Sequence, residues 1–338
     1  MTDGRAATNE RVVLADIGGT NARFALMHRG EIGPVQHLRV AAFPGKDGVM
    51  DALAAFLSSQ GGAGPPTSAV FGVAGPIQNN RVVFTNSDWV VDGAELGKRF
   101  GFRYVKLLND FEALGWSLPA LKPADLFTLG EQQPMPGAPM LVIGPGTGFG
   151  AAGLFLQSER PVIVVTEAGH ATLPATSDRE AEVIAELRRR FGHVSIEHVL
   201  SGSGIEHLYQ ALAAVDRQTV PARDAAAITT AALDGSCVTS QATLDMFCSL
   251  LGSVAGNLTL TFCAWGGVFI AGGIVPRFAH RLATTEFREK FESKGRYDVY
   301  LRNVRTSVIT TPDTSFIGLK AFVEQTGPLA KASTAQVI

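Results

Sequence analysis

Apolar and polar residues alternate on both sides of a glycine-rich turn near the start of the chain. Residues 12–15 are apolar, residues 16–21 have a turn composition, and residues 22–27 alternate again. This period of two around a turn predicts a β-hairpin. The arrangement recurs where apolar runs flank residues 144–150. Because both turns contain Gly-Thr, we interpret the two hairpins as the products of an internal duplication.

Other segments have the periodicity of helices or of buried strands. Apolar runs at residues 69–73 and 104–108 predict strands, and a long helix is expected to begin near Asp110. Further helices are predicted over residues 51–57, 178–191, 204–215 and 239–261. Strands alternating with helices indicate an α/β fold.

One long segment without charged side chains has the length of a membrane span. Residues 246–276 contain no Asp, Glu, Lys or Arg. Serine, threonine and asparagine side chains recur in it, and Gly266-Gly267 interrupts it before a second apolar run. We therefore interpret it as a buried helix followed by a central strand, with no membrane partner.

Composition narrows the class of protein. A length of 338 residues suggests about two domains. The net charge of -2 lacks the basic excess of a nucleic-acid-binding protein. Three widely spaced cysteines provide neither a disulfide framework nor a CxxC metal site. The polar first ten residues do not form a signal peptide, so we expect a cytoplasmic protein.

Glycines are clustered, and the first cluster has the character of a phosphate-binding turn. Residues 16–23 lack the Gly-Lys-Ser/Thr ending of a P-loop. Successive glycines can still direct backbone N–H groups at a phosphate, while the Thr20 hydroxyl adds a donor and Asp16 can hold a hydrated Mg²⁺. The alternative is a plain hairpin turn.

The second cluster, residues 144–150, has four alternate glycines. Its last glycine is out of register for a dinucleotide-binding fingerprint, and no βαβ unit follows. Alternate glycines in a hairpin suit the close approach of backbone to a polyanion. The alternative is a bulged strand.

Acidic and histidine side chains supply candidate chemistry. Asn109 and Asp110 follow an apolar strand, where α/β proteins place ligands, although Asp110 could instead cap the next helix. Glu167 and His170 are three residues apart, but a zinc site lacks a third clustered ligand. Glu197, considered alone, is predicted to be a solvated helix residue.

Together these motifs resemble the bacterial glucokinase family, a branch of the actin-like sugar kinases distinct from the zinc-containing ROK kinases. The resemblance covers nearly the whole chain. Its seven motifs, in family order, are residues 16–23, 85–89, 108–113, 144–150, 167–170, 197–202 and 271–273.

The resemblance implies an α/β, two-lobed actin-like ATPase (ribonuclease H-like) fold with a cleft between the lobes. The small lobe is expected to comprise residues 1–110, completed by a C-terminal helix within residues 312–338. Residues 111–311 are expected to form the large lobe. MgATP is expected to bind in the cleft.

The implied activity is ATP-dependent phosphorylation of D-glucose to glucose 6-phosphate, a glycolytic transferase reaction, carried out by a cytoplasmic homodimer. Asp110 matches the general base. The expected sugar-binding residues are Asn86, Asn109, Asp110, Glu167, His170 and Glu197. The expected ATP- and phosphate-binding residues are Asp16, Gly18, Gly19, Thr20, Asn21, Gly146, Thr147, Gly148, Gly272 and Gly273. Asp16 is expected to hold Mg²⁺ through water. Residues 171–177 contain no cysteine, so we expect no zinc.

Several alternatives remain open from the sequence. The chain could phosphorylate another hexose or an amino sugar, using ATP, ADP or polyphosphate. A non-catalytic sugar or ATP sensor of the same fold would not need Asn109, Asp110, Glu167, His170 and Glu197 together. A sugar-responsive transcription regulator would need a helix-turn-helix ahead of the first hairpin, where eleven residues precede Val12.

Overall fold

The structure, a computed structural model, describes residues 10–61, 64–84, 87–156 and 161–326. Its internal contacts divide the chain into two compact units. The first comprises Met1–Ala120 and Pro312–Ile338, and the second comprises Leu121–Thr311. The helix after Asn109 therefore groups with the first unit, whereas the sequence analysis placed it in the second lobe.

Among its described residues, the first unit is built on a mixed six-stranded sheet and four helices. Its strands are β1 (Arg11–Ile17), β2 (Asn21–His28), β3 (Glu31–Ile32), β4 (Gln36–Arg39), β5 (Ser68–Val73), β6 (Arg81–Val83), β7 (Val90–Asp92) and β8 (Tyr104–Asn109). The helices are α1 (Gly48–Ser59), α2 (Gly93–Phe100), α3 (Asp110–Ser117) and the C-terminal helix (Thr314–Thr326). The sheet order is β3-β2-β1-β5-β8 with β4 beside β2, and β6 and β7 form a separate pair. Strands β1, β5 and β8 are parallel.

The core of the first unit explains why β5 is apolar throughout. Every residue of β5 is buried, because the strand lies between β1 and β8. Phe24 of β2 stacks on Phe56 of α1 with ring centroids 5.5 Å apart, and Phe71 of β5 meets Phe24 edge to face. Fully burying each such side chain stabilises the fold by roughly 1.5–3 kcal/mol. These contacts fix α1 against the sheet.

Helix α3 is shorter than the long helix predicted near Asp110, so that prediction is wrong. It has eight residues and gives way at Leu118–Ala120 to a single 3₁₀ turn. Pro119 has no N–H to continue the helical ladder. The C-terminal helix packs on α3, with Trp116 and Phe322 edge to face at 5.6 Å between ring centroids.

The second unit contains another six-stranded sheet and seven helices among its described residues. Its strands are β9 (Leu126–Leu129), β10 (Met140–Pro145), β11 (Phe149–Leu156), β12 (Pro161–Thr166), β13 (Gly267–Ile270) and β14 (Thr306–Ile309). Its helices are α4 (Asp178–Phe191), α5 (Gly202–Val215), α6 (Ala225–Leu233), α7 (Val238–Phe262), α8 (Ala279–Leu282), α9 (Phe287–Glu292) and α10 (Asp298–Arg302), which makes the C-terminal helix α11. The sheet order is β12-β11-β10-β13-β14-β9.

The segment without charges forms helix α7 and strand β13, as predicted. Gly252 and Gly256 lie where an added Cβ would come within 2.1 and 2.4 Å of the α9 carbonyl oxygens of Phe287 and Phe291. Thr243 and Thr259 donate their hydroxyls to carbonyls one turn earlier, so these polar side chains are satisfied inside the core. In the part of the chain that the structure describes, no helix combines the length and apolarity of a membrane span.

The two sheets repeat one strand arrangement. In each, a hairpin (β1–β2 or β10–β11) pairs its second strand antiparallel with the strand that follows. The first hairpin strand then runs parallel to a later strand, which pairs parallel with another. This shared order and direction is what the predicted duplication requires.

The packing of α11 on α3 generates a stability prediction at Gly318. A Cβ built there would lie 1.7 Å from the Ala113 carbonyl oxygen of α3. We therefore expect Gly318→Ala to lower the free energy of unfolding by about 1–3 kcal/mol, since the helices must move apart. Urea unfolding measures this change.

Gly61→Ala is the matched control, because no atom lies within 4 Å of its added Cβ. The control should stay within about 0.5 kcal/mol of the parent protein. Equal effects of the two substitutions would contradict the close helix contact.

Candidate functional site

The first unit gathers candidate residues at one edge of its sheet. Because β1, β5 and β8 are parallel, their carboxyl ends lie together, and Ile17, Val73 and Asn109 are register partners across the three strands. Two strand spacings put Ile17 and Asn109 about 10 Å apart. The glycine turn after β1 and the acid after β8 thus flank the same edge.

The first glycine turn is tighter than predicted. Asp16 pairs with Arg23 within the β1–β2 ladder, so only Gly18, Gly19 and Thr20 separate the strands. The Gly18 N–H donates to the Asn21 carbonyl at 2.9 Å and closes the turn. Thr20 and Asn21 are exposed, and the two glycines are half-buried. The turn is therefore accessible to an anionic ligand.

The Asp16 carboxylate is held by its own unit. Arg23 and the Ser315 hydroxyl both donate to Oδ2 of Asp16, and Arg23 also donates to Asp313 at 2.7 Å. Among the described residues no group of three His, Cys, Asp or Glu side chains could hold a metal ion. Mg²⁺ commonly keeps several waters and uses one or two carboxylates with substrate phosphates. A single anchored carboxylate fits that mode through water.

Asn109 and Asp110 have different roles at the start of α3: one caps the helix and the other supplies the acid at the strand end. Asn109 is the N-cap of α3, since its Oδ1 accepts the Phe111 N–H at 2.9 Å. Asp110 is the first residue of α3, and its Oδ1 lies 3.0 Å from the same N–H. The alternative that Asp110 caps the helix is therefore wrong. The half-buried Asp110 carboxylate lies at the positive end of the α3 dipole.

Glu112 is a second acid on α3 that the sequence analysis did not single out. Burial raises the pKa of its carboxyl, against the opposing influence of Lys106. The side chain is half-buried. The raised pKa favours the neutral form of this carboxyl, so Glu112 contributes less negative charge near Asp110 than an exposed carboxylate would.

The second glycine turn lies at the carboxyl ends of β10 and β13. Strands β10 and β11 pair as far as Pro145 and Phe149, and the Gly146 N–H donates to the Gly148 carbonyl at 2.8 Å across the turn. The turn is Gly146, Thr147 and Gly148, so the bulged-strand alternative and the longer turn are both wrong. An added Cβ at Gly272, which has φ +93°, would lie 2.3 Å from the Pro145 carbonyl oxygen. The Gly272-Gly273 turn is thus beside this hairpin.

Helix α5 also meets the second glycine turn. The Gly202 N–H, at its first residue, donates to the Gly146 carbonyl at 2.9 Å. Ser201 caps the helix by accepting the Gly204 N–H at 3.0 Å. A helix N-terminus favours negative charge nearby. Sequence analysis missed this contribution, although Ser201 before the glycines of residues 202–204 is a cap signal.

Glu197 lies in a turn, so the prediction of a solvated helix residue is wrong. Its Oε2 accepts the N–H of Phe149, the residue directly after the second glycine turn, at 2.8 Å. A Cβ at Gly148 would approach the same oxygen to 2.3 Å. The carboxylate therefore occupies the space that the missing side chain leaves.

Glu167 and His170 are brought to the same place by Gly169. The Gly169 carbonyl accepts the Glu197 N–H at 2.9 Å, and a Cβ on Gly169 would lie 2.3 Å from the Phe149 carbonyl oxygen. Glu167 and His170 have side-chain exposures of 79% and 65%, with 3.8 Å between Oε2 and Nε2. Two exposed polar groups and one anchored carboxylate thus surround the hairpin.

The structure does not bring every candidate into view. Asn86 lies outside the described residues. Arg23 and Ser315, which hold Asp16, were not identified as site residues from the sequence. Ser315 could not have been, because it contacts Asp16 from nearly 300 residues away in the chain.

Comparisons with known proteins agree on one family. A family model described as Glucokinase matches residues 13–326. A glucokinase from Paramagnetospirillum magneticum is 42% identical over 318 residues, 93% of this chain and 98% of that protein. A crystal structure of a glucokinase from an Antarctic psychrotroph has a TM-score of 0.83 and 36% identity, over 93% of this chain and 99% of that one.

A more distant structure shares the fold. A ROK family glucokinase from Streptomyces griseus, solved in complex with glucose and AMPPNP, matches with a TM-score of 0.63 and 17% identity, over 93% of this chain and 99% of that one. The predicted fold class, an α/β fold of the actin-like ATPase type, is confirmed by these matches.

The contact between Gly148 and Glu197 generates a matched pair of substitutions in one turn. A methyl group at position 148 would displace the Glu197 carboxylate from the Phe149 N–H, whereas no atom lies within 4 Å of a Cβ at Gly146. We expect Gly148→Ala to lower the free energy of unfolding by roughly 1–3 kcal/mol, the value of a hydrogen bond to a charged group. Gly146→Ala should change it by less than about 0.5 kcal/mol.

A double-mutant cycle identifies the partner. In a Glu197→Ala background the cost of Gly148→Ala should largely disappear, because the colliding carboxylate is gone. Urea unfolding of the four proteins measures the coupling. An undiminished cost in that background would show that Glu197 is not what Gly148 accommodates.

Proposed function

Because the chain belongs to the glucokinase family, we propose that it transfers the γ-phosphoryl group of ATP to the 6-hydroxyl of D-glucose. The observation that carries this proposal is the bond between Glu197 and the Phe149 N–H. This bond supports the proposal because it holds the Glu197 carboxylate, which we propose as a sugar ligand, against a turn whose backbone could bind phosphate. A sensor could bind both ligands, but only phosphoryl transfer needs a general base, and in this proposal Asp110 at the N-terminus of α3 is that base.

Asp110 is the general base in this proposal. A sugar hydroxyl is a weak nucleophile, so its proton must leave as the oxygen bonds to the γ-phosphorus and the bridging oxygen departs with ADP. The Asp110 carboxylate accepts that proton. Asn109 is the N-cap of α3, and the Asp110 Oδ1 accepts the same Phe111 N–H.

The two glycine turns bind the phosphates. Backbone N–H groups of Gly19 and Gly148, together with the Thr20 and Thr147 hydroxyls and the Asn21 side chain, provide donors for phosphoryl oxygens. Gly18 shapes the first turn, because its own N–H closes it. Gly146 belongs to the same turn, and Gly272-Gly273 contacts the adenosine. Asp16 holds Mg²⁺ through water. When bound, Mg²⁺ neutralises charge on the phosphates.

Hydroxyl groups of the sugar need several polar partners. Asn86, Asn109, Asp110, Glu167, His170 and Glu197 fill this role in the proposal. A substrate that lacks one hydroxyl would leave a desolvated carboxylate unpaired, at a cost of roughly 1–3 kcal/mol. The set therefore selects a polyhydroxylated substrate. The proposal includes a cytoplasmic homodimer acting in glycolysis with ATP as donor.

The decisive substitution is Asp110→Asn. Removing the base should lower kcat by about 10²–10⁴-fold, while the KM values for glucose and ATP change little. Stability should hardly change, because asparagine can also accept the Phe111 N–H and Asn109 remains the cap. A coupled assay for ADP release and a urea titration on one preparation measure both.

Asp178→Asn is the matched control, since Asp178 is likewise the first residue of a helix. It should leave kcat unchanged. Near-normal turnover of Asp110→Asn would exclude Asp110 as the base and direct attention to Glu167. If the unmodified protein released no ADP with glucose but did so with another hexose or an amino sugar, that sugar and not glucose would be the substrate.

Glu167→Gln and Glu197→Gln should each raise the KM for glucose by about tenfold, equivalent to about 1.4 kcal/mol of binding. They should differ in stability. The Glu167 side chain is exposed and accepts no backbone N–H in the described part of the chain, whereas the Glu197 side chain accepts the Phe149 N–H. Only Glu197→Gln is therefore expected to lower the unfolding free energy.

Glu182→Gln provides the control, because Glu182 is an exposed acid on α4 outside the proposed site. Steady-state kinetics should leave its KM at the parent value. An unchanged KM in either test variant would remove that residue from the sugar-binding set.

A further inference from the structure

Three histidines, His193, His198 and His207, lie in and beside the segment that carries Glu197. The His198 ring stacks on Phe191 with centroids 4.5 Å apart and 13° between the planes. His207 of α5 contacts the same phenylalanine at 4.8 Å, and its Nδ1 lies 3.0 Å from the His198 carbonyl oxygen. His193 contacts the Thr172 hydroxyl at 3.0 Å. None of these groups has a part in the proposed chemistry.

One contact determines which nitrogen of the neutral His198 ring carries the proton. The Ser195 backbone N–H donates to Nδ1 of His198 at 3.1 Å. A backbone N–H can only donate, so Nδ1 must present its lone pair, and the proton of the neutral ring is on Nε2. The Ser195 hydroxyl lies 3.1 Å from the same ring nitrogen, and the hydroxyl oxygen accepts the backbone N–H of His198 at 3.2 Å. A proton on Nδ1 would face the Ser195 N–H.

The turn closed by His198 is the one that carries Glu197. The Ile196 N–H donates to the Ala171 carbonyl and the Glu197 N–H to the Gly169 carbonyl, both at 2.9 Å. Ser195 and Ile196 are buried, so the turn is packed into the unit. Loss of the Ser195 contact would loosen the backbone from which the Glu197 carboxylate extends.

We propose that His198 is a positioning residue whose neutral imidazole holds the Glu197 turn, so that its protonation in mild acid weakens glucose binding. The proposal rests on the proposed function, because it takes Glu197 as a sugar-binding group. His198 touches neither sugar nor phosphate in it. Its effect on the substrate passes through Ser195 and Glu197.

The surroundings of His198 favour the neutral ring. Burial lowers its pKa, the neighbouring positive charge of His207, His193 and His170 lowers it further, and Glu197 opposes them. The Arg190 guanidinium lies 4.9 Å from the centroid of the Phe191 ring, the ring on which His198 stacks. These histidines and Glu197 are the titratable groups that act on the ring, and Arg190 is the charged group on the phenylalanine against which the ring stacks.

The sign of the pH dependence follows. A histidine pKa below the ordinary value of 6.5 means that the folded protein resists the proton. The stabilisation from the neutral contact is complete above that ordinary value and is lost as the pH falls through the folded pKa. The KM for glucose should therefore rise on the acid side of neutrality.

His198→Asn tests the proposal, because asparagine Oδ1 can occupy the place of Nδ1 and accepts the Ser195 N–H without titrating. The ratio of the parent KM for glucose to that of the variant should be near one at about pH 7.5 and about fivefold or more at about pH 5. Every other titrating group is common to both proteins, so the ratio isolates His198. The ratio of kcat values should stay flat.

His193→Asn is the control, since it removes a neighbouring imidazole and should keep the acid rise in KM. A flat KM ratio for His198→Asn, or loss of the rise in His193→Asn, would overturn the proposal. Absence of glucose phosphorylation at about pH 7.5 would instead refute the proposed function.

A measurement on the unmodified protein covers the case in which His198→Asn does not fold. Long-range ¹H–¹⁵N spectra of the histidine rings report which nitrogen carries the proton. The proposal requires His198 to have the proton on Nε2 at neutral pH. A proton on Nδ1 there would overturn it.

Discussion

The hydrogen bond from the Phe149 N–H to the Glu197 carboxylate is the interaction on which the second unit's site depends. It joins segments 48 residues apart and explains two glycines. Gly148 leaves room for the carboxylate, and Gly169 lets its own turn lie against the Phe149 carbonyl. Because the Gly169 carbonyl also accepts the Glu197 N–H, the glycine turn, the backbone at Gly169 and the Glu197 side chain are fixed as one body. Fixed polar groups bind a substrate with little ordering cost.

The first unit places its acid by different means. Asp110 is positioned by a strand end and by a helix that Asn109 caps, and α11 presses on that helix where Gly318 removes the obstacle of a side chain. Asp16 is held by Arg23 and by Ser315 of the same α11. The C-terminal helix thus supports both acids of this unit. Close backbone approach at a glycine is the device that the two units share.

Local patterns predicted much of this arrangement, and long-range contacts account for the rest. Helix α4 begins and ends at the predicted residues, because its Ser177 cap and amphipathic period are written in consecutive positions. Both hairpins and helix α7 followed from period and composition. The turn at Glu197 could not be predicted, since it is built by acceptors at Ala171 and Gly169 and by Phe149. The alternative that Asp110 caps α3 was one residue late, because asparagine and aspartate are both favoured at caps and the sequence does not separate Asn109 from Asp110.

The site residues of the second unit differ in how firmly they are held, and the difference has a chemical consequence. Glu167 and His170 are exposed and share one weak contact, so in the proposed function they can adjust to the sugar. One carboxylate oxygen of Glu197 accepts a backbone N–H beside the second glycine turn, and the turn that carries Glu197 is closed by Ser195 and His198. A sugar hydroxyl that binds the Glu197 carboxylate therefore acts on a group already bonded to that turn. In the proposed function, the same carboxylate links sugar recognition to the geometry of the phosphate site. This link requires the bond between Glu197 and the Phe149 N–H, which the exposed Glu167 and His170 cannot supply.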